Sequence, residues 1–225
     1  MLKFFGNIVD HRRDDSLATT MRKKRFALFK SLLASIPGSL KILDVGGRPN
    51  IWKQSGFLSE FEHIDIVIMN IEKIQVTELR MTSIIDDATN MKYVSDLEFD
   101  VVFSNSVIEH VGDYQKQQNM ANEIKRVGKR YFVQTPNLYF PIEPHFLFPL
   151  FQFLPLPVKI WLITHFKLGW RGPVKDRQKA LATVTEIRLL SKKEFVALFP
   201  EAKIVEEKFL GLTKSFIAYY GWDTP

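Results

Sequence analysis

Two short apolar runs end abruptly in small or polar residues, and these ends are where the chain could do chemistry. The end residues are Asp44, Gly46 and Gly47 after the first run, and Ser104 and Asn105 after the second. Buried parallel strands look like this where they open onto a ligand crevice. A glycine pair lets the backbone approach a ligand closely, and the carboxylate can accept hydrogen bonds from that ligand.

Two acid–histidine pairs are candidates for proton transfer. Glu109 and His110 follow the second apolar run, while Glu143 and His145 lie on a later loop with prolines on both sides. Loop residues held by rigid neighbours are good candidates for positioned chemistry. His145 is therefore the first candidate for a general base or acceptor ligand, with His110 and Glu143 beside it. A structural role is the alternative for both histidines.

The pattern of apolar residues predicts the elements that position these side chains. Strand-like runs alternate with helical patterns and a closing pair follows, which is typical of an α/β doubly wound sheet. The predicted strands are residues 41–45, 63–71, 81–85, 99–104, 131–135, 202–209 and 214–220, with helices at 14–36, 115–127 and 191–199. A Ser191–Glu194 capping box marks the start of the last helix.

Four motifs in this order resemble the class I S-adenosylmethionine-dependent methyltransferases of the small-molecule type. They are Asp44-Val45-Gly46-Gly47, Asp86-Asp87-Ala88, the run Phe99 to His110, and the run Tyr131 to Asn137. The resemblance covers residues 40–136 by motif and the rest by element order. It implies a Rossmann-like seven-stranded sheet in the order 3-2-1-4-5-7-6, with S-adenosylmethionine as cofactor beside strand one.

The resemblance also implies cofactor contacts near strands one and two. Asp44, Gly46 and Gly47 would anchor the cofactor, although the glycines are adjacent and Arg48 and Pro49 follow them. We expect the Arg48 side chain to point outward or toward the cofactor carboxylate. Asn70 holds the place of the acid that binds both ribose hydroxyls, and Glu72 and Asp65 are the alternatives.

Further implied contacts lie at the next strand ends. Asp87 and Ala88 would meet the adenine, with Asp86 as a competitor one residue away. Ser104 and Asn105 would touch the methionine part, and Asn105 is equally compatible with a helix N-cap. Asn137 and Tyr139, just after strand five, are predicted to orient the acceptor.

No tight metal site is predicted. In the similar ubiquinone-pathway O-methyltransferases, an acid three positions before a Glu-His pair joins that pair to bind a metal. Here Ser106 occupies that position before Glu109 and His110, so the ligand set is incomplete.

The segment after strand five is rich in aromatic residues and prolines. Between His145 and Val158 it contains no Lys, Arg, Asp or Glu. Three interpretations remain open: a lid over an apolar acceptor pocket, a membrane-surface contact, and a dimer interface or ordinary core. We expect one methyltransferase domain over residues 1–225, with an N-terminal helical region at 1–38 and this lid or substrate insertion at 137–186.

The predicted function is S-adenosylmethionine-dependent methyl transfer to a small or lipid-like acceptor, on oxygen. The alternative is a non-catalytic module of the same fold that binds the cofactor or a partner. The net charge of +6 comes mostly from residues 1–30, around Arg22–Arg25, and suggests either an anionic partner or a solvated helix face. A nucleic-acid methyltransferase is disfavoured because the Asn/Asp-Pro-Pro-aromatic signature is missing, so no nucleic-acid partner is predicted.

The expected location is cytoplasmic, with a peripheral membrane contact kept as an alternative and an oligomer compatible with the sequence. Cysteine is absent, which fits a reducing compartment. Residues 1–10 lack the basic, apolar and small-residue pattern of a secretory signal.

Overall fold

A mixed sheet of seven strands forms the centre of the computed structural model, which describes residues 17–169 and 171–222. The strands are β1 Leu40–Val45, β2 Ile64–Asn70, β3 Met81–Ile85, β4 Val101–Asn105, β5 Tyr131–Pro136, the short β6 Ile142–Glu143 and β7 Phe148–Pro149, then β8 Lys203–Phe209 and β9 Leu212–Tyr220. β6 and β7 pair with each other in a separate hairpin. The other seven strands build the main sheet.

The order in the main sheet is β3-β2-β1-β4-β5-β9-β8. β1 to β5 run parallel, and β9 is antiparallel to both β5 and β8. Since β6 and β7 lie outside this sheet, β8 and β9 are its sixth and seventh strands, so the predicted order 3-2-1-4-5-7-6 is confirmed. β1 lies between β2 and β4, which places the switch point of the topology at the carboxyl ends of β1 and β4.

Seven α-helices and two 3₁₀ turns connect the strands of the described residues. The helices are α1 Leu17–Leu33, α2 Pro49–Gln54, α3 Phe57–Glu60, α4 Tyr114–Val127, α5 Leu156–His165, α6 Arg177–Thr185 and α7 Lys192–Leu198, and the turns are Ile108–His110 and Phe151–Phe153. The predicted start of the first helix, at residue 14, lies outside the described residues. The predicted capping box is confirmed, because Ser191 and Glu194 each accept from the other's backbone amide.

Helices cover both faces of the sheet. On one face, α1 and α2 bury Phe29 and Trp52 against Phe103 of β4. On the other face, α4 and α7 bury Met120 and Phe195. A parallel sheet needs this double cover because its strands are apolar on both sides. The basic residues of α1 differ in exposure. Lys23 and Lys24 are exposed, whereas Arg25 points into the protein.

The aromatic insertion builds a small core of its own. Phe146 and Phe151 stack with ring centroids 4.1 Å apart, and Ile163 and Val184 are buried with them. Part of the segment is therefore ordinary core. Other apolar side chains face solvent, including Phe153, Trp161 and Phe166. Among the described residues, no helix combines the length and the apolar character that crossing a bilayer requires.

Candidate functional site

The turn after β1 is built around a buried carboxylate. Asp44 is 1% exposed, and its Oδ2 accepts a hydrogen bond of 2.7 Å from the indole Nε1 of Trp52, the buried residue of α2. Burial raises the pKa of Asp44 to about 7, while the Trp52 hydrogen bond acts in the opposite direction. Keeping a charged carboxylate buried at this depth costs free energy, and hydrogen bonds from polar groups of a ligand would offset that cost.

The two glycines of the turn leave no room for side chains. Gly46 has φ +72°, and a Cβ there would lie 2.5 Å from Cγ1 of Val107. A Cβ on Gly47 would lie 1.7 Å from Oδ2 of Asp44. The turn therefore packs closely against Val107 and Asp44 and needs glycine at both positions. Arg48 is exposed, in accord with an outward orientation.

The end of β2 lies next to this turn. The Gly46 amide donates to the carbonyl of Met69, and Nδ2 of Asn70 lies 3.4 Å from the carbonyl oxygen of Gly47. Asn70 is therefore at the turn, with its amide group half-buried. Glu72 is exposed beyond the strand end. Asp65 is exposed near the amino end of β2, opposite Lys41 and far from the turn in register.

The loop after β3 uses its two aspartates differently. Asp86 is 9% exposed and accepts from the backbone amides of Asp87 and Tyr93. Asp87 is exposed, and its Oδ1 accepts from the backbone amide and hydroxyl of Thr89. Asp86 thus shapes the loop, while Asp87 keeps a carboxylate oxygen at the surface. Ala88 packs against the core beneath.

Ser104 and Asn105 end β4 on the other side of β1. Ser104 is fully buried, with Oγ 3.5 Å from the carbonyl oxygen of Val45. Asn105 accepts a 2.5 Å hydrogen bond from Nη1 of Arg25. The expected N-cap role of Asn105 is not seen, because the next α-helix, α4, is capped by Asp113.

Arg25 of α1 is a site residue that the sequence reasoning missed. Its guanidinium also contacts Gln134 of β5 at 3.0 Å and pairs with Glu207 of β8 at 2.5 Å. The side chain is 11% exposed, so this is a buried ion pair with every donor group directed at an acceptor. The sequence carried no signal that would separate Arg25 from the other basic residues of the same stretch.

The second group of candidates converges from two loops. The 3₁₀ turn after β4 supplies Glu109 and His110, and the loop of the β6–β7 hairpin supplies His145. The His110 and His145 rings lie 4.8 Å apart at 87°, and Nε2 of His145 is 4.0 Å from Oε1 of Glu109. Folding therefore brings the two acid–histidine pairs of the sequence together.

Glu143 fixes the orientation of His145. Its Oε1 lies 2.6 Å from Nδ1 of His145, and its Oε2 accepts from the backbone amides of His145 and Phe146. Burial lowers the pKa of His145, but the hydrogen bond and charge of Glu143, with the charge of Glu109, outweigh it and leave the pKa above the ordinary histidine value. Nδ1 is thus the protonated nitrogen, and Nε2 faces Glu109.

The two neighbours of His145 have opposite shifts. Burial raises the pKa of Glu109, which is 0% exposed, to about 7. Burial, followed by the charge of His145, lowers the pKa of His110 to about 4. His110 is therefore neutral at pH 7, and the cluster holds one partly protonated carboxyl between two imidazoles.

These shifts predict a distinct nuclear magnetic resonance titration of the five histidines. We expect the His145 ring to titrate above pH 6.5 and the His110 ring near pH 4. In the variant Glu143→Gln, the His145 pKa should fall because a carboxylate that favours the charged ring is lost. The variants His110→Ala and His145→Ala assign the signals. A His145 pKa unchanged by Glu143→Gln would contradict the pairing.

The two residues predicted to orient the acceptor have other contacts. Asn137 is 7% exposed, and its amide donates to the carbonyl of Thr213 and accepts from the Tyr139 backbone amide. The Tyr139 side chain is exposed and stacks on Phe153. Asn137 therefore joins the end of β5 to the β8–β9 hairpin, while Tyr139 stands at the surface of the insertion.

Two cavities differ in their place on the sheet. One, of about 470 Å³, is lined by the amino ends of β1 and β2 and lies at the edge opposite the Asp44 turn. The other, of about 280 Å³, lies under the insertion and is lined by Glu143, Phe146, Phe151 and Lys159, among others. The second cavity therefore borders the residue that holds His145.

Comparisons of the sequence with known proteins match parts of this chain. A family model described as "Methyltransferase domain" matches residues 52–131, which begin after the Asp44 turn. Two uncharacterized proteins from two Mycobacterium tuberculosis strains are 36% identical over 59 residues, covering 26% of this chain and 20% of theirs. The chain thus spans about a fifth of the length of these curated relatives.

Solved structures resemble the whole sheet. One is Haemonchus contortus phosphoethanolamine N-methyltransferase 2 in complex with phosphomonomethylethanolamine and S-adenosylhomocysteine, with TM-score 0.51 and 13% identity over 81% of this chain and 38% of that one. Another is the CurJ carbon methyltransferase, with TM-score 0.55 and 7% identity over 94% of this chain and 57% of that one. At these identities the likeness concerns the fold.

Proposed function

We propose a function from the premise that this chain has the class I S-adenosylmethionine-dependent methyltransferase fold and carries a methyltransferase domain. The proposed function is the transfer of a methyl group from S-adenosylmethionine to an oxygen of a small or lipid-like acceptor. The observation that carries the proposal is the Asp44 turn at the switch point of the sheet. There a bare glycine pair, Gly46 and Gly47, lies against a buried carboxylate. A Cβ on Gly46 or Gly47 would collide with the side chain of Val107 or of Asp44, so this turn admits only glycine at both positions, as a turn that brings its backbone close to a ligand requires.

The proposed cofactor contacts follow the carboxyl ends of the strands. Asp44, Gly46, Gly47 and Asn70 border one another at the ends of β1 and β2. Asp87 and Ala88 lie after β3, and Ser104 and Asn105 lie at the end of β4. When bound, the cofactor supplies a methyl group on a sulfonium, with a neutral thioether as leaving group. The chain's own task is to hold donor and acceptor in line, which recovers about 7–11 kcal/mol of barrier in well-oriented reactions.

The proposed acceptor position is beside His145, His110 and Glu143. With the cofactor bound, the acceptor oxygen would take the methyl group as the methyl–sulfur bond breaks, and Nε2 of His145 would take the acceptor's hydroxyl proton. Glu143 keeps the ring in the tautomer whose Nε2 is free, and its charge compensates the imidazolium that results. General base catalysis of this kind contributes about 10²–10⁴-fold to the rate.

The insertion supports a partly apolar acceptor. The cavity of about 280 Å³ under it is bordered by Phe146 and Phe151 and reaches Glu143. This volume lies just below the range of about 300–1,000 Å³ typical of small-molecule sites. A peripheral membrane contact stays a proposal that fits the exposed Trp161 and Phe166, and no nucleic-acid partner is proposed.

Calorimetric titration with S-adenosylmethionine and S-adenosylhomocysteine, in a chelating buffer, tests the cofactor half of the proposal. We expect saturable binding of both by the full chain. Folded protein that gives no binding heat with either compound would overturn the proposed function. Production of S-adenosylhomocysteine is then followed across alcohols, phenols, sugars and lipid-linked acceptors. Binding without turnover over such a panel would favour the non-catalytic module.

A substitution pair tests the proposed base once an acceptor is found. We expect His145→Ala to lower kcat about 10²–10⁴-fold with little change in cofactor affinity, because only proton transfer is lost. His165→Ala is the matched control, since His165 is exposed on α5. For the unmodified protein kcat should rise with pH through the elevated pKa of His145, because the neutral ring accepts the proton. Equal kcat values for both variants would exclude His145 as the base.

A further inference from the structure

We propose that Glu109, His110 and His145 form a binding site for a divalent transition-metal cation such as Zn²⁺. Each residue offers one ligand atom, and these atoms all lie within 4.8 Å of one another. Two imidazoles and one carboxylate form a donor set that Zn²⁺ accepts while keeping a further position open. The three residues come from two loops at the carboxyl end of the sheet, so the site is assembled only by the fold.

A buried carboxylate oxygen points into the cluster without a hydrogen bond. Glu109 is 0% exposed, and its Oε2 accepts from the hydroxyl of Thr135 at 3.1 Å. Its Oε1 has no hydrogen-bond partner within the described part of the chain. An unsatisfied buried carboxylate oxygen is strongly unfavourable, and a cation at this point would satisfy it.

Glu143 and two backbone amides support the proposed ligand His145. Glu143 accepts from Nδ1 of His145 at 2.6 Å, which leaves Nε2 as the nitrogen that can donate an electron pair to a metal. Two backbone amides, of His145 and Phe146, hold the Glu143 carboxylate in turn. Carboxylate–histidine–metal chains of this kind orient metal ligands and raise their basicity.

The sequence alone predicts no tight metal site, because Ser106 stands where the similar O-methyltransferases have an acid. The fold brings His145 to the Glu109–His110 pair from a distant loop, and His145 completes a three-ligand set without Ser106, whose hydroxyl bonds to Gln134 instead.

This inference rests on the proposed function for the position of the acceptor, and with a cation bound the metal replaces His145 as the group that activates the acceptor hydroxyl. The open coordination position would take the acceptor oxygen, whose hydroxyl pKa a bound cation lowers. With a cation present, Nε2 of His145 is a ligand. The acceptor's hydroxyl proton then passes to solvent water rather than to His145.

Titration of the chelator-treated full chain with CoCl₂ and with ZnCl₂ tests the site. We expect calorimetry to give one bound ion per chain. Co²⁺ should produce a saturable visible d–d absorption band, and Zn²⁺ should remove that band by displacing the Co²⁺ ion. His110→Ala and His145→Ala should each abolish the absorption band. Glu143→Gln should weaken the metal affinity about 10–100-fold, since it removes the carboxylate that holds Nδ1 of His145 and leaves the three ligands in place.

Two controls keep the result interpretable. His165→Ala removes an exposed histidine of α5 and should leave metal binding unchanged. Glu109→Gln keeps an oxygen that accepts the hydrogen bond from the Thr135 hydroxyl. This variant should therefore fold and still lose metal binding. Absence of a saturable Co²⁺ band in the unmodified chain, or a band that survives in His110→Ala and His145→Ala, would overturn the inference. S-adenosylmethionine binding in chelator is measured separately, so failure of the metal site leaves the proposed function intact.

Discussion

Asp44→Asn is expected to weaken S-adenosylmethionine binding about tenfold or more, and at the same time to stabilise the ligand-free protein at alkaline pH. Asp44 is 1% exposed and its pKa is raised by burial to about 7. Asparagine keeps an oxygen that can accept from Nε1 of Trp52. The variant therefore removes the buried charge without opening a cavity, while losing the charged acceptor proposed for the cofactor.

The sign of the stability effect follows from proton linkage. In the unfolded state the Asp44 carboxyl has its ordinary pKa of 3.8. Between pH 3.8 and about pH 7, the unfolded state has therefore released a proton that the folded state still retains. The unmodified protein thus loses stability as the pH rises through this window, by an amount on the order of a few kcal/mol. Asp44→Asn should lack this part of the loss. Glu109, whose pKa is also raised to about 7, contributes in the same direction in both proteins.

Urea unfolding at about pH 5 and about pH 8, with calorimetry for cofactor affinity, measures both effects. Asp65→Asn is the matched control, because Asp65 is an exposed aspartate near the amino end of β2. It should change neither quantity. An Asp44→Asn variant with unchanged affinity would remove Asp44 from the cofactor site.

Gly47→Ala should abolish cofactor binding and destabilise the protein. The new Cβ would lie 1.7 Å from Oδ2 of Asp44, which is incompatible with any packing of the present turn. Either Asp44 leaves its hydrogen bond with Trp52 or the turn backbone moves. Overpacking of this type costs about 1–3 kcal/mol, and here it also displaces a buried carboxylate.

Gly172→Ala is the control for this substitution. No atom lies within 4 Å of the Cβ position at Gly172, so an alanine there meets open space. Thermal unfolding and calorimetric titration of both variants with S-adenosylmethionine give the comparison. Gly47→Ala protein that unfolds at the temperature of the unmodified chain and binds the cofactor equally well would contradict the packing described for this turn.

The sheet could be predicted because its signals are local. Each central strand is a short apolar run bounded by polar or turn residues, and the observed strands begin and end within about two residues of the predicted ones. The capping box at Ser191 and the position of the Asp44 turn were readable for the same reason. Residues 49–58, for which the sequence alone predicts only a short irregular turn or helix, contribute to the two short helices α2 and α3.

The cluster of Glu109, His110, Glu143 and His145 could be predicted only in parts. The sequence singled out the Glu109–His110 and Glu143–His145 pairs, but no local pattern shows that two loops 33 residues apart meet. The unpartnered oxygen of Glu109 and the bond from Trp52 to Asp44 are tertiary facts of the same kind. The packing of the insertion was the hardest part to predict, because its exposed and buried aromatic residues follow no regular period along the sequence.

The contacts of Arg25 have a consequence for synthesis on the ribosome. Arg25 is synthesised 182 residues before its ion-pair partner Glu207, and β9, which lies between β5 and β8, emerges from the ribosome later still. Until then the guanidinium lacks its carboxylate and β5 presents an open edge. In a nascent chain we therefore expect the contacts between Arg25 and Glu207 to form only after β9 has been synthesised and has paired with β5 and β8.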